Sequence, residues 1–384
     1  MIQFSARQSL CDVAAEEWDA LAADRSFYLC HSWLSTQDAG GPVDAVYLLA
    51  RSCGRLVGAL PVYEVRNETN PFYLPQRCAD GRWQGHYLLA GARRAYTNGL
   101  LIADDLTAAQ RAEVAHGLLD RLRGQATRAG ALGALFLYLT TPAARSLTAA
   151  FPGVPVVLTS MEAVLDLPGR DFNGYLQALS GHRRRVIRHE VDVFGRAGLT
   201  VAIEPAAEVW EQLPRLLGNL QRRYGSGAPD DHWRQVLRRQ AADLADQAVI
   251  FTCRRDGVLL GFCLGYAWHG TLYLKLCGFD YPKLSNSYEY FNVTYYAPIR
   301  YAYSQGVSRI HYGREAFTAK LIRGARLAPL WSVEIPAPGR PAPRAATEWN
   351  RATAARWRAE LSHSSREFGG EGWSCWGCGT AGAE

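Results

Sequence analysis

The sequence predicts an α/β (α+β) protein built from two similar units, each with its own sheet. The chain has 384 residues, which is enough for two domains of roughly 100–200 residues each. Its composition is 48% hydrophobic and 20% charged, which is typical of globular proteins and excludes a disordered, collagenous or coiled-coil chain. One strand–turn–strand pattern also occurs twice, and each copy has helical segments before and after it.

The first half of the chain contains a predicted hairpin between helices. Its turn, Ser52-Cys53-Gly54, joins two segments rich in β-branched and aromatic residues. Thr107 is the expected N-cap of a long helix that ends before Gly130. The other expected elements, in order, are a strand at 2–7, helices at 16–22 and 31–37, hairpin strands at 46–51 and 56–63, a long loop at 66–98 and a buried strand at 135–139.

The second half repeats this hairpin without a gap, at an offset of 203 residues. The identical positions are Arg51 and Arg254, Gly54 and Gly257, Leu56 and Leu259, Gly58 and Gly261, and Tyr63 and Tyr266. Identity at five positions favours an internal duplication over a chance recurrence of a common motif.

Clusters of proline and glycine indicate the domain boundaries. Such residues gather near 150–175 and again after Pro336. We therefore expect a first domain at 1–165, a second domain with the active site at 166–335, and a proline-rich linker, a helix at about 347–361 and a disordered tail within 336–384.

Charge and cysteine usage exclude several classes of protein. The net charge of +6 is mild, and only three of the 42 basic residues are lysines, so each lysine merits inspection. Nine cysteines without regular spacing argue against a secreted disulfide framework. Cys375 and Cys378 form one CxxC motif, which lacks the second pair that a zinc site needs, so we predict no metal site.

The sequence shows no membrane or export signal. No uninterrupted apolar run approaches the length that spans a bilayer, and the N-terminus lacks the basic and apolar regions of a signal peptide. We therefore expect a soluble, cytoplasmic protein.

Three stretches of the second half resemble the tandem GNAT-like acyltransferases, which include the Fem-type aminoacyl transferases and their peptidoglycan-biosynthesis-like relatives. They are Leu179–Arg188 with its continuation to Val201, Phe251–Tyr281, and Gly306–Pro329, which contains Ala319-Lys320-Leu321-Ile322-Arg323-Gly324. The resemblance implies two GNAT-like domains, each a twisted mixed sheet flanked by helices. It also implies the transfer of an acyl group from a thioester or ester to an amine.

The resemblance bears on the acyl donor as well. Single-domain acetyl-CoA enzymes carry a Gln/Arg-x-x-Gly-x-Gly/Ala loop that cradles the pyrophosphate, and this sequence lacks that loop in the expected strand-to-helix setting. Aminoacyl-tRNA, the Fem-type donor, is therefore favoured over acyl-CoA.

A basic helix is the first candidate for donor binding. Ser180 is the expected N-cap of a helix that runs to about Arg196, with an apolar face at Ile187, Val191 and Phe194. The arginines that fall outside this face are Arg183, Arg184, Arg185 and Arg188. They suit phosphate groups, because the guanidinium fork binds two oxygens at once, although a solvated basic face remains the alternative.

Tyrosines are concentrated between residues 273 and 303, where eight occur. Much of this set is expected to be core, since several members share a helical face. Tyr273, Tyr290 and Tyr296 are the candidates for the wall of a substrate pocket.

The candidate catalytic residues lie at the end of the short strand Arg309–His311 and in the segment after it. His311 and Glu315 are candidate bases for the attacking amine, and Tyr312 lies between them. The resemblance implies that Lys320 lies in the transfer site, where it neutralises donor phosphate or stabilises an oxyanion. Arg323 is the further donor-binding candidate beside it.

We therefore expect an amide-forming acyltransferase that needs no tightly bound cofactor, because the acyl donor is a co-substrate. The partners are a small-molecule amine acceptor, which includes cell-wall or natural-product precursors, and tRNA as the favoured donor. The alternatives are an acyl-CoA-dependent N-acyltransferase and a non-catalytic module that binds nucleic acid or a partner through its basic helix.

Overall fold

The computed structural model describes the chain except for residues 39–42, 66–67, 69, 342, 362–367, 369–370 and 380–384. The chain forms two compact units, one at Met1–Glu162 with Ala328–Glu384 and the other at Ala163–Leu327. The expected second domain, 166–335, is thus wrong at its end, because the chain returns to the first unit from residue 328 onward.

Both units contain strands as well as helices. The strands are β1 (Ile2–Arg7), β2 (Val43–Ser52), β3 (Arg55–Val65), β4 (Leu88–Ala90), β5 (Leu101–Ile102), β6 (Gly133–Leu139), β7 (Val156–Asp166), β8 (Thr200–Glu204), β9 (Ala248–Arg255), β10 (Val258–Trp268), β11 (Thr271–Phe279), β12 (Arg309–His311) and β13 (Arg326–Pro336). The helices are α1 (Ala15–Ala22), α2 (His31–Asp38), α3 (Ala108–Arg128), α4 (Thr141–Ala150), α5 (Phe172–Ala178), α6 (Gly181–Arg196), α7 (Ala206–Val209), α8 (Leu213–Arg223), α9 (Asp230–Asp243), α10 (Glu289–Phe291), α11 (Ala297–Ser304), α12 (Phe317–Ile322) and α13 (Thr347–Glu360). A π-helical segment, Asn292–Tyr296, joins α10 to α11.

The first unit contains a mixed sheet in the order β1-β2-β3-β4-β6-β13, and β5 pairs with β3. Neighbouring strands are antiparallel except for β4 and β6, which are parallel. Helix α3 packs on β2 and β3 through buried residues that include Val114 and Leu118. Gly58 permits this close approach, because a Cβ there would lie 2.4 Å from Val114 Cγ1.

The second unit repeats this order of pairing. Strands β8, β9, β10 and β11 are successive antiparallel neighbours, β11 and β12 are parallel, and β12 is antiparallel to the end of β7. The order of pairing is the same within each unit, as the sequence predicts for two similar units with a mixed sheet in each.

The two repeated hairpins share their turn chemistry. Arg51 donates to the Gly54 carbonyl at 2.6 Å, and Arg254 donates to the Gly257 carbonyl at 3.1 Å. Each arginine also pairs with a carboxylate, Arg51 with Glu17 at 2.9 Å and Arg254 with Glu204 at 2.8 Å. Both glycines have positive φ, which a residue without a Cβ adopts at no steric cost.

Two sequence expectations about irregular segments change. The loop expected at 66–98 contains β4. The tail expected to be disordered is ordered at residues 371–379, where Trp373 and Cys378 are buried, and residues 380–384 lie outside the described part of the chain.

Gly278 controls how α8 packs on β11, the strand that leads into the candidate site. A Cβ at Gly278 would lie 2.4 Å from the backbone carbon of Leu216 and 2.5 Å from the Leu217 nitrogen. We expect Gly278→Ala to lower the free energy of unfolding by about 1–3 kcal/mol, because backbone atoms of a packed helix cannot rotate away. Urea denaturation measures this change.

The control for this variant is Gly195→Ala in α6, where an added Cβ meets nothing within 4 Å. Alanine is the better helix former by about 0.5–1 kcal/mol, so this variant should be as stable as the wild type or slightly more so. Equal stability of both variants would contradict the tight contact at Gly278.

Candidate active site

The site lies in the second unit, where two parallel strands separate. β11 and β12 pair only through Thr271–Tyr273 and Arg309–His311. Beyond His311 the chain turns to β7, because the Tyr312 nitrogen donates to the Ala163 carbonyl at 2.9 Å. β11 continues on to Phe279 beside β10. The two strands therefore open a wedge at their carboxyl ends, which is the usual place for functional groups in open sheets.

Lys320 is buried beside this wedge. It is 6% exposed, and its Nζ donates to the carbonyls of Arg314 at 2.9 Å and Gly313 at 3.3 Å. Burial lowers the pKa of Lys320 to about 7, against a weaker opposing effect of Glu315. Near neutral pH its two protonation states therefore coexist, so this side chain can stabilise a developing negative charge or exchange a proton.

Cys277 of β11 is an electrostatic neighbour of Lys320. Burial raises the pKa of the Cys277 thiol to about 12, and Lys320 lowers it. The thiol therefore remains protonated at neutral pH. Sequence analysis did not place Cys277 in the site. The two-residue period of a strand does not extend from Tyr273 to Cys277, because a register shift leaves Lys275 out of the pairing between them.

The turn before α12 sets the direction of Lys320. Glu315 and Ala316 both have left-handed backbone, with φ of 65° and 47°. Such angles in residues with a Cβ are unfavourable and persist only where the surroundings hold them. The Glu315 side chain is exposed, so the structure keeps it as a solvent-facing candidate base.

His311 is held by its own turn. Its Nδ1 accepts a hydrogen bond from the Gly313 nitrogen at 3.1 Å, and its ring stacks on Tyr273 at 5.3 Å between centroids. In the neutral ring the proton is then on Nε2, because Nδ1 is an acceptor. Nδ1 is thus already occupied, so His311 is poorly suited to the role of base that the sequence predicted.

Arg323 is not exposed to a donor, in contrast to its predicted role. It is 1% exposed and pairs with Glu190 of α6 at 2.6 Å, and its Nε donates to the Tyr296 hydroxyl at 3.1 Å. Its guanidinium also stacks over the Phe291 ring at 3.7 Å. Tyr296 donates to Glu190 in turn, so Arg323 and Tyr296 belong to a closed internal network rather than to a binding surface.

Glu190 was missed by sequence analysis. It is buried on α6 three residues after Ile187 and four before Phe194. That spacing places a carboxylate on the apolar face of the helix, which is unusual without a partner. This signal was present in the sequence, but its partner Arg323 lies 133 residues away.

The remaining tyrosines form a cluster beside the wedge. Tyr295 and Tyr312 have ring centroids 5.1 Å apart, and Tyr290 lies 5.9 Å from Tyr295. Tyr312 is 7% exposed, its hydroxyl has no partner among the described residues, and burial raises its pKa well above the usual value. Its hydroxyl is thus a neutral hydrogen-bond donor.

The basic helix divides into two groups. Arg185 and Arg188 are exposed, whereas Arg183 is half-buried. Arg184 donates to the carbonyls of Leu176, Gln177 and Leu179 at 3.1–3.2 Å, which caps the end of α5. The donor-binding role predicted for Arg184 is therefore replaced by a structural one.

The two α/β units have the same order of strand pairing, and in the second unit a pair of parallel strands opens beside a buried lysine. This is a GNAT-like architecture. The chain belongs to the FemAB-like family, which is described as acting in peptidoglycan biosynthesis or recognition; the family's sequence model matches residues 9–340. Membership in this family supports a transferase.

Solved structures share the fold at low sequence identity. FemX is 12% identical with a TM-score of 0.61, over 86% of this chain and 97% of that one. The C-terminal domain of a putative lysylphosphatidylglycerol synthetase from Agrobacterium fabrum is 12% identical with a TM-score of 0.53, over 85% and 92%. L-PGS from Bacillus licheniformis is 13% identical with a TM-score of 0.51, over 84% and 91%. No curated protein matches the chain significantly.

The described part of the chain contains no group of three or more His, Cys, Asp or Glu residues arranged to hold a metal ion. None of its helices is long and apolar enough to cross a membrane.

The buried lysine predicts a pH dependence of stability. The pKa of Lys320 is about 7 in the folded chain and roughly 10.4 in an unfolded one. Between these values the unfolded chain binds more protons, so the contribution of Lys320 to the free energy of unfolding rises with pH. We expect Lys320→Met to remove a rise of up to about 1.4 kcal/mol per pH unit across that window.

Urea denaturation at several pH values measures this effect. The matched control is Lys283→Met, because the Lys283 side chain is 55% exposed and pairs with Asp280 at 3.3 Å. Parallel pH profiles for the Lys320 variant and the wild type would contradict the burial of a titrating amine.

The Arg323–Glu190 pair predicts a second stability effect. Glu190→Gln leaves the Arg323 charge buried without its counter-ion, so we expect a loss of about 3–5 kcal/mol in the free energy of unfolding. Asp166→Asn is the control, because Asp166 pairs with Arg309 at 2.7 Å and Arg326 at 2.8 Å near the surface. It should cost no more than about 1 kcal/mol. Equal losses would show that the internal pair is no more important than the surface one.

Proposed function

We propose that this protein transfers an activated acyl group, with aminoacyl-tRNA as the favoured donor, to an amine of a small molecule or of a cell-wall or natural-product precursor. The observation that carries the proposal is the burial of Lys320 against two backbone carbonyls at the opening between β11 and β12. A buried cation beside an open strand pair is suited to charge that develops during acyl transfer.

The proposed reaction needs only groups that the chain and its substrates supply. The amine nitrogen attacks the acyl carbon, the C–N bond forms as the ester C–O bond breaks, and the proton lost by the amine ends on the leaving oxygen. Lys320 in its ammonium form stabilises the oxyanion of the tetrahedral intermediate. The neutral Tyr312 hydroxyl supplies a second hydrogen bond, and the fold contributes by holding both groups in place.

The loop after β11 supports an ester donor over acyl-CoA. In this strand-to-helix segment the Glu289 carboxylate accepts from the backbone nitrogens of Ser285 at 2.7 Å and Ser287 at 2.8 Å. Glu289 is buried, so the chain's own anion fills donors of the kind that bind pyrophosphate in CoA enzymes. A pyrophosphate bound to the same backbone nitrogens would be repelled by the negative charge of the Glu289 carboxylate.

The experiment is a donor screen with purified protein and a pool of amines, read by mass spectrometry of amide products. We expect product from charged tRNA and none from acyl-CoA. Lys320→Met should lower kcat about 10²–10³-fold, since a preorganised oxyanion contact is lost. Product from acyl-CoA alone would overturn the donor assignment, and no product from either donor would overturn the enzyme assignment.

The exposed arginines of α6 predict the salt dependence of tRNA binding. The side chains of Arg185 and Arg188 are exposed and make no hydrogen bond or ion pair with any described residue. We expect the double alanine variant to weaken tRNA binding and to flatten the slope of log affinity against log salt by about 1.5, because each phosphate contact contributes roughly 0.7–0.9.

The control removes the same charge elsewhere, through Arg351→Ala with Arg356→Ala on α13, where both side chains are exposed. This variant should retain the wild-type slope in a filter-binding titration. A wild-type slope in the α6 variant as well would show that its arginines are merely solvated.

A further inference from the structure

The CxxC motif of Cys375 and Cys378 lies in the ordered tail segment of the first unit. Cys375 is partly exposed, whereas Cys378 is 2% exposed. The Cys378 nitrogen donates to the Cys375 carbonyl at 3.1 Å, which closes a four-residue turn. The Cα atoms at the ends of such a turn lie within 7 Å, close to the separation that a disulfide bridges.

The turn is held by neighbouring elements of the same unit. Asn350 of α13 donates to the Trp376 carbonyl at 2.8 Å, and Arg358 donates to the Cys378 carbonyl at 2.9 Å. Trp376 has a φ of 44° and packs against Trp331 at 4.6 Å between ring centroids. These contacts hold the turn so that Cys375 is partly exposed and Cys378 is buried.

A groove gives access to the outer cysteine. Arg145, Thr148 and Ala149 of α4 line it together with Cys375 and Trp376, and its volume is about 410 Å³. Arg145 Nη2 lies 3.2 Å from Cys375 Sγ. A cationic side chain thus lies within hydrogen-bond distance of the outer sulfur.

The two cysteines are therefore chemically different. Cys375 has a cation beside it and an open groove in front of it. Burial raises the pKa of Cys378 to about 11. In thiol–disulfide exchange, an accessible cysteine attacks first and a less accessible second cysteine completes the reaction, and the exposure of Cys375 and Cys378 fits this order.

We propose that Cys375 and Cys378 form a redox-active dithiol that exchanges with low-molecular-weight disulfides in the groove on α4. The Cys375 thiolate attacks one sulfur of the small disulfide, forms a mixed disulfide and releases one thiolate. The Cys378 thiol then loses its proton to that thiolate and attacks Cys375, which releases the second thiolate, and this thiolate takes up a proton from solvent. The protein is oxidised by two electrons, and one small disulfide is reduced to two thiols.

The test incubates the reduced full-length protein with oxidised glutathione and follows intact mass and peptide maps. We expect the wild type to lose two hydrogen atoms at the 375–378 peptide. Cys378→Ser should instead trap one glutathione on Cys375, because the second step is missing. Cys375→Ser should carry neither modification at this site.

The exposed single cysteines Cys11 and Cys53 provide an internal control, since each can accept glutathione but is not part of a CxxC motif. Arg145→Ala should slow adduct formation on Cys375 about threefold to tenfold, because the cation that lies against the attacking sulfur is removed. Thermal melts of all variants establish that each is folded.

The proposal is overturned if the wild type keeps both thiols while Cys11 and Cys53 are modified. It is also overturned if folded Cys378→Ser protein modifies Cys375 no faster than Cys53. Neither result bears on acyl transfer, because the transfer site lies in the second unit and contains neither cysteine.

Discussion

The three-residue pairing of β11 with β12 is the constraint on which the candidate site depends. A longer ladder would close the edge between these parallel strands. Tyr312 instead bonds to Ala163 of β7, so β11 is left to diverge with Cys277 along the opening. α12 then brings Lys320 to the carbonyls of the same turn. The short pairing of β12 thus determines where the two strands open and where Lys320 lies beside the opening.

The second unit buries two cationic side chains, Arg323 and Lys320, in different surroundings. The difference indicates a structural role for Arg323 and fits the site role proposed for Lys320. Arg323 has a carboxylate, a hydroxyl and aromatic rings around it, so its charge is compensated within the fold. Among the described residues, Lys320 donates its hydrogen bonds to carbonyl oxygens, which solvate an ammonium but do not neutralise it, and the exposed Glu315 acts on it only weakly. The proposed role of Lys320 depends on this uncompensated charge, whereas the charge of Arg323 is compensated within the fold.

Features that depend on neighbouring residues could be predicted from the sequence. The hairpin turns at Gly54 and Gly257 and the N-cap Ser180 use local hydrogen bonds, and the structure has them as expected. Features that depend on distant partners could not. Nothing near Arg323 in the sequence points to Glu190, and nothing near residue 335 indicates that β13 returns to pair with β6. Arg184 is predicted to bind donor phosphate because it lies off the apolar face of its helix, whereas its carbonyl partners belong to the end of the preceding helix.

We propose that the acyl donor binds at Lys320. Because lysine is scarce in this chain, binding at this one side chain can be measured directly. The chain has only Lys275, Lys283 and Lys320, so side-chain nitrogen NMR of lysine-labelled protein gives three resonances to assign by substitution. Titration with a non-hydrolysable aminoacyl-tRNA analogue should shift the Lys320 resonance and leave that of Lys283 in place. An analogue that binds tightly and leaves the Lys320 resonance unmoved would contradict the account.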